Sequence, residues 1–320
     1  MLSEQTIDKI KGVIYGQAIG DALGLGTESM TSKEVRNHYP SGLKYYTEII
    51  DDSYRKRWKK GEWTDDTDQV ICILNSILKN GELNENKVAH ELYDWMKRGP
   101  KDIGYFTAKV LEDPEFLSDP HAAAKRRWLK EGMLTAPNGA LMRTSIIGTW
   151  KFWDKDAVTR NAENVAKTTH YDPRCVASSV IVSQIIRSYI DENRALTQSE
   201  ISEIGKQYHE KVEKYVQKGF NSSLQSMELD DLNKRAYTLR GLSVALWAHS
   251  SKYTFEQALQ RIIAEGGDSD TNAALACSIL GARYGFKAIP SYLVDNLYNK
   301  EKLDFLIDSY ISKVNSAYKA

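Results

Sequence analysis

The sequence predicts an all-α protein, one compact orthogonal multi-helix domain running from residue 1 to residue 320. Three observations carry that expectation. Apolar residues recur with a helical period in segment after segment along the chain. Strand signals are confined to "GLKYYTEII" at 42–50, and no hairpin turn or partner strand follows it. The seven prolines fall mostly between helical segments, as in "GPKD", "DPEF" and "DPHA", and no low-complexity linker or composition break marks a domain boundary.

In order, helices are expected at 5–19, 32–39, 67–80, 86–98, 119–131, 155–168, 174–191, 198–218, 229–249, 254–265, 270–284, 290–297 and 299–314. Several open on cap signals: "TSKE" at 31, "SDPHAA" at 118, "TQSE" at 197 and "TFEQA" at 254. The third is clearest, with Val70, Ile71, Ile73, Leu74, Ile77 and Leu78 on one face and Gly81 where a helix C-terminus favours glycine. The span 42–62 is the least regular, and its basic run "RKRWKK" reads as a solvated loop.

Composition narrows the function classes. Lys plus Arg equals Asp plus Glu at 43 each, so no global field recruits nucleic acid or an anionic membrane; a small anion held by local groups stays open. No window approaches 18 consecutive apolar residues, and the amino terminus lacks the basic start and apolar core of a signal peptide. Cys72, Cys175 and Cys277, odd in number and without paired spacing, read as buried thiols in a reducing compartment, and the cytoplasm is the simplest inference. A monomer is expected.

The chemistry concentrates at two helix starts. In "WTDDTDQV", Asp65, Asp66 and Asp68 precede an apolar helix. One such acid caps a helix, but three within four residues repel one another unless a cation lies between them. The pattern recurs in "GGDSDTNAALACSILGARYG", where Asp268 and Asp270 precede Thr271. If the two helix starts face each other, four carboxylates and flanking hydroxyls meet in one cleft. Such hard oxygen donors suit Mg²⁺, Mn²⁺ or Ca²⁺ rather than Zn²⁺, and four carboxylates balance two divalent ions. Gly266 and Gly267 permit a tight entry with positive φ, and Ala273, Ala274, Ala276 and Ser278 allow close packing. Capping alone remains the alternative. "PNGALMR" at 137–143 offers close-approaching backbone N–H groups at Asn138, Gly139 and Ala140 ahead of an expected helix start, which suits an anion; an ordinary loop-to-helix turn is the alternative.

Five segments in this order resemble the ADP-ribosylglycohydrolase family: "GQAIGDALGLGTE" (16–28), "EWTDDT" (62–67), "PNGALMR" (137–143), "TTHYDP" (168–173) and "GGDSDTNAALACSILGARYG" (266–285). The resemblance implies an all-α fold with two Mg²⁺ or Mn²⁺ in a central cleft. It implies Thr64, Asp65, Asp66, Asp268, Asp270 and Thr271 as metal ligands, with Asp68 outside that set and Asp21 a supporting acid. Glu28 stands where family members carry a mobile acidic residue near the metals. Its glycine-rich segment, with Gly20, Gly24 and Gly26, suggests freedom to move. Asp102 in "GPKDIG" stands where the nitrogenase-reactivating branch carries an acid near the scissile ribose, but Tyr105 replaces that branch's Asn, which leaves leaving-group specificity open. Asn138, Gly139, Ala140, Leu141, Met142, Arg143 and His170 are the implied substrate-binding residues. Arg143 is equally readable as a phosphate partner or a buried ion-pair member.

The reaction so implied is hydrolysis of the C1″ glycosidic bond of ADP-ribose on a protein side chain or small acceptor. Cations polarise water, carboxylates stabilise oxocarbenium charge, and Glu28 or Asp102 handles the proton. The rival expectations are a catalytically weak ADP-ribose-binding member of the fold, or a two-metal phosphoester hydrolase.

Overall fold

Fifteen α-helices follow one another in the computed structural model, which describes residues 1–319. The first half contains α1 (Glu4–Gly24), α2 (Ser32–His38), α3 (Asp65–Asn80), α4 (Glu85–Lys97), α5 (Tyr105–Leu111), α6 (Pro120–Lys130) and α7 (Lys155–Lys167). The second contains α8 (Pro173–Asp191), α9 (Gln198–Lys206), α10 (Lys211–Asn221), α11 (Thr238–Ser250) and α12 (Phe255–Ile263), then α13 (Ser269–Tyr284), α14 (Ser291–Asp295) and α15 (Lys300–Lys319). Among the described residues no strand forms, and Pro137 opposite Tyr237 is an isolated bridge. Among the described residues no helix is long and apolar enough to cross a membrane.

The caps read from sequence form as expected. Thr31 with Glu34, Thr197 with Glu200, and Thr254 with Gln257 each make a reciprocal capping box, and Asp119 caps α6 ahead of Pro120. Gly81 ends α3 with φ of 76°.

Four expectations change. The 42–50 segment is a 3₁₀ turn at Tyr46–Glu48 rather than extended chain, with the Glu48 carboxylate accepting from the Lys44 and Tyr45 N–H groups. The helix expected at 198–218 is two, broken around Tyr208 and His209, where Val212 turns back onto Gly205. The helix expected at 229–249 begins only at Thr238, because 228–237 is a loop with Glu228 and Ala236 at positive φ. The "RKRWKK" run is not wholly solvated: Arg55 is buried, and its guanidinium donates to the carbonyls of Leu25, Gly26 and Glu28.

The contact that organises the centre pairs the first helix with the thirteenth. Gly12, Gly16, Gly20 and Gly24, four residues apart, form one row on α1. They face Gly281, Cys277, Ala273 and Ser269 on α13, and a Cβ on any of these four glycines would strike the α13 backbone. The two backbones touch antiparallel, so the end of α1 lies against the start of α13. Those glycines serve contact rather than slack. The next turn is pinned too: Ser29 N–H donates to the Gly267 carbonyl (2.7 Å) and Gly267 N–H to the Met30 carbonyl (2.8 Å).

Candidate active site

Beside that junction lies a cleft of about 720 Å³, walled by residues of the α1 end, the α3 start, the α5 segment, the 135–142 loop, the 233–237 loop and the α13 start. Asp21, fully buried on α1, settles how α3 begins. Its carboxylate accepts from the N–H groups of Thr64 and Thr67 (2.9 Å each) and from the Thr67 hydroxyl (2.6 Å). The Thr64 hydroxyl accepts weakly from Asp66 N–H (3.4 Å). Asp21 and Thr64 thus do the capping, which leaves Asp65 and Asp66 for another purpose. Asp66 Oδ1 is buried without any hydrogen-bond partner, while Oδ2 meets the hydroxyls of Thr64 (3.4 Å) and Thr271 (3.3 Å). Thr271 starts α13, so the two acidic helix starts do face each other.

Across from Asp66 stand Glu28, Asp268 and Asp270, each with a carboxylate oxygen within 4.8 Å of the others. Positive-φ glycines place them: Gly266 at 67° and Gly267 at 70° lie where a Cβ would overlap the Met30 and Leu229 carbonyls. Glu28 Oε2 accepts from the Ser269 N–H (3.0 Å), capping α13, and Asn138 Nδ2 donates to Asp268 Oδ2 (2.5 Å).

Burial, and then the neighbouring carboxylates, push Glu28, Asp65 and Asp66 well above the usual carboxylate range. Burial likewise raises Asp270, and raises Asp21 and Asp268 to about 7. Mutually repelling buried acids with one orphaned oxygen and only oxygen donors around them fit a hard divalent cation. The residues able to hold it are Glu28, Asp65, Asp66, Asp268, Asp270 and Thr271.

Other expected site residues divide. Asp102 lines the cleft, held by the Tyr54 phenol (3.0 Å). Asn138, Gly139, Met142 and His170 also line it, with His170 packed on Phe106. Ala140, Leu141 and Arg143 do not reach the cleft wall: all three are fully buried, and the chain at Leu141–Arg143 is a single 3₁₀ turn rather than an α-helix start. Arg143 is neither a phosphate partner nor an ion-pair member; it donates to Gln69, Gly139, Val165, Thr168 and Thr169, all neutral acceptors. Thr64 is buried at the α3 cap, its hydroxyl 3.4 Å from Asp66 Oδ2 as the Thr271 hydroxyl is at 3.3 Å. Asp68 turns away, accepting from the indoles of Trp63 (3.0 Å) and Trp95 (3.1 Å).

Sequence reasoning missed Tyr54, Thr107, Arg174, Arg235 and Tyr237 on the cleft wall. Tyr54 lies in the stretch read as solvent, and Thr107 lies on α5, too short at seven residues to show a period.

An all-α fold with a carboxylate-lined cleft between two helix starts defines a class of oxygen-donor, cation-competent proteins. The ADP-ribosylglycohydrolase family model matches residues 2–319, and the chain belongs to that family. Over 95% of its length it is 25% identical to the ADP-ribosylarginine hydrolase Tri1 of Serratia proteamaculans, covering 79% of that protein. It is 26% identical to the ADP-ribosyl-[dinitrogen reductase] glycohydrolase of Rhodospirillum rubrum, covering 89% of this chain and 88% of that one. A solved structure titled ADP-ribosylglycohydrolase-related protein complex superposes with a TM-score of 0.73, covering 98% of this chain and all of that chain at 23% identity, and so shares its fold.

Proposed function

We propose that this protein hydrolyses the C1″ glycosidic bond of ADP-ribose attached to a protein side chain or small acceptor, using two Mg²⁺ or Mn²⁺ ions. The observation that carries the reading is the meeting of Asp66 with Glu28, Asp268 and Asp270 on the floor of the cleft, in a chain of this family. Divalent cations, when bound, would supply a polarised water.

The protein's own groups do the rest. The carboxylates of Asp65, Asp66, Asp268 and Asp270 would hold the cations and offset oxocarbenium charge at C1″. Asn138 orients Asp268 through its amide. Its own backbone N–H is taken by the Ala236 carbonyl (2.9 Å), so in this loop pyrophosphate binding falls to the Gly139 peptide on the cleft wall. Glu28 and Asp102 are the candidates for proton transfer. Glu28 stands among the cation-holding acids, whereas Asp102 is fixed on the wall by Tyr54.

A panel of defined arginine-, serine- and nucleic-acid-linked ADP-ribosyl substrates, assayed with Mg²⁺ or Mn²⁺ and mass-spectrometric detection, tests this. Free ADP-ribose as the product supports it. Release of AMP or phosphate instead identifies a phosphoester hydrolase, and tight ADP-ribose binding with no product from any substrate identifies a binding protein.

A further inference from the structure

Arg143 lies between the two ends of the cleft without touching it. Its Nη1 donates to Gln69 Oε1 (2.9 Å), and Gln69 Nε2 donates to Asp65 Oδ2 (3.1 Å). Its Nη2 donates to the Thr169 hydroxyl oxygen (2.6 Å), which stands 2.7 Å from His170 Nδ1.

A guanidinium has only donors, so Gln69 and Thr169 must meet Arg143 as acceptors. Thr169 Oγ1 is buried, and His170 Nδ1 is its one partner able to take the hydroxyl proton, so donating there is the arrangement that leaves that proton paired. The imidazole, held neutral by burial and by the Arg143 cation, therefore carries its proton on Nε2. That nitrogen is buried, has no partner, and belongs to a side chain on the cleft wall. The ring edge packs against Gly139: a Cβ there would stand 2.9 Å from His170 Cε1 and 3.2 Å from Nε2. The other arm obeys the same logic. Gln69 accepts from Arg143 through its oxygen, so it must turn its amide N–H₂ to Asp65, occupying one carboxylate oxygen.

We infer that Arg143 is a positioning residue that sets hydrogen-bond polarity at both ends of the cleft, presenting His170 Nε2–H as a fixed donor and orienting Asp65 through Gln69. The ligand atom beside His170 and Gly139 is then a hydrogen-bond acceptor, an oxygen of the pyrophosphate or a ribose ring or hydroxyl oxygen. The ligand half of this inference rests on the ADP-ribosyl reading; the tautomer half does not.

The two halves separate experimentally. Long-range ¹H–¹⁵N spectra of the metal-loaded wild-type protein, with His170 assigned by the signal lost in H170Q, report which ring nitrogen is protonated. The inference expects a protonated Nε2 and a bare Nδ1, unchanged from pH 6 to 8, and a proton on Nδ1 overturns it. T169V removes the hydroxyl link, so His170 should become a tautomer mixture, and T169S should restore the wild-type spectrum. With ADP-ribose as probe, T169V should raise Kd about tenfold, the worth of one well-made hydrogen bond, with kcat on a cleavable substrate altered less. A T169V protein with the wild-type tautomer and affinity overturns the link. If the tautomer follows the expectation and ADP-ribose does not bind even the wild type, the ADP-ribosyl reading fails and the Arg143 relay stands.

Discussion

Asp66 Oδ1, buried and without a partner, is the atom that most needs a cation. Replacing Asp66 or Asp270 with Asn should abolish divalent-cation binding in calorimetry while far-ultraviolet circular dichroism keeps its helical signal. The caps of α3 come from Asp21 and Thr64, so the helix does not depend on Asp66 beyond the roughly 1 kcal/mol of a cap. Unchanged titrations in both variants would remove the metal assignment. Glu28→Gln keeps an acceptor for the Ser269 N–H and loses the titratable proton, so kcat should fall on the order of 10²–10⁴-fold with ADP-ribose affinity little changed. A larger loss in Asp102→Asn would transfer the proton role to the wall acid held by Tyr54. At this scale the sequence was most informative where a pattern repeated. Two separate Asp-rich starts ahead of Thr pointed to one cleft, and the structure brings them together. It was least informative for Arg143, because a motif does not say which way a side chain turns. Arg143, two residues past the buried Leu141, turns inward to carbonyls and hydroxyls that no local spacing reveals.

The elements show why the α1 glycines cannot be read as hinges. Each faces a main-chain atom of α13, so the row sets the separation of two helices rather than the suppleness of one. In an open helix Gly→Ala gains up to about 1 kcal/mol of propensity. At Gly16 the new methyl would enter the Cys277 carbonyl, and overpacking of that kind typically costs about 1–3 kcal/mol, so G16A should be less stable in urea titrations. It should also weaken cation binding, since α1 carries Glu28 to Asp268 and Asp270. An exposed glycine such as Gly99, with no atom within 4 Å of its Cβ position, is the comparison site, where its positive φ disfavours Ala but leaves cation affinity alone. Helix existence was readable from periodicity across most of the chain. Breaks were not, because the 206–211 and 228–237 stretches contain neither proline nor an apolar gap, and their turns are set by packing and by Glu228 and Ala236 at positive φ.

For the whole molecule, the cleft stores a charge problem that its environment must solve. The acids at its floor have folded-state pKa values raised above the unfolded value of about 4. Such groups favour folding fully at pH below about 4, and their contribution is lost as pH rises through about 7, where Asp21 and Asp268, each buried and each facing Asp270, ionise. With a chelator present, therefore, the acids' contribution should drive the melting temperature down between pH 5 and pH 8. With Mg²⁺ or Mn²⁺ in excess that decline should flatten or reverse, by the mass action of a ligand that binds only the folded state. Equal slopes in scanning calorimetry with and without cation would argue that the acids are compensated by something other than a metal.

The α1–α13 contact also dictates when in the life of the molecule the site can exist. Its two sides come from opposite ends of the chain, Glu28 before a long helical interior and Asp268 after it. A polypeptide still emerging from the ribosome carries a complete "TDDT" start and no counterpart, so the cleft between the two helix starts cannot yet form. Contacts so distant in sequence are slow to form, whereas the local helices between them form early. After dilution from denaturant, helical ellipticity should return in a fast phase, and cation-dependent activity should follow in a slower one. A closed cleft in this fold thus reports that α1 and α13 have met.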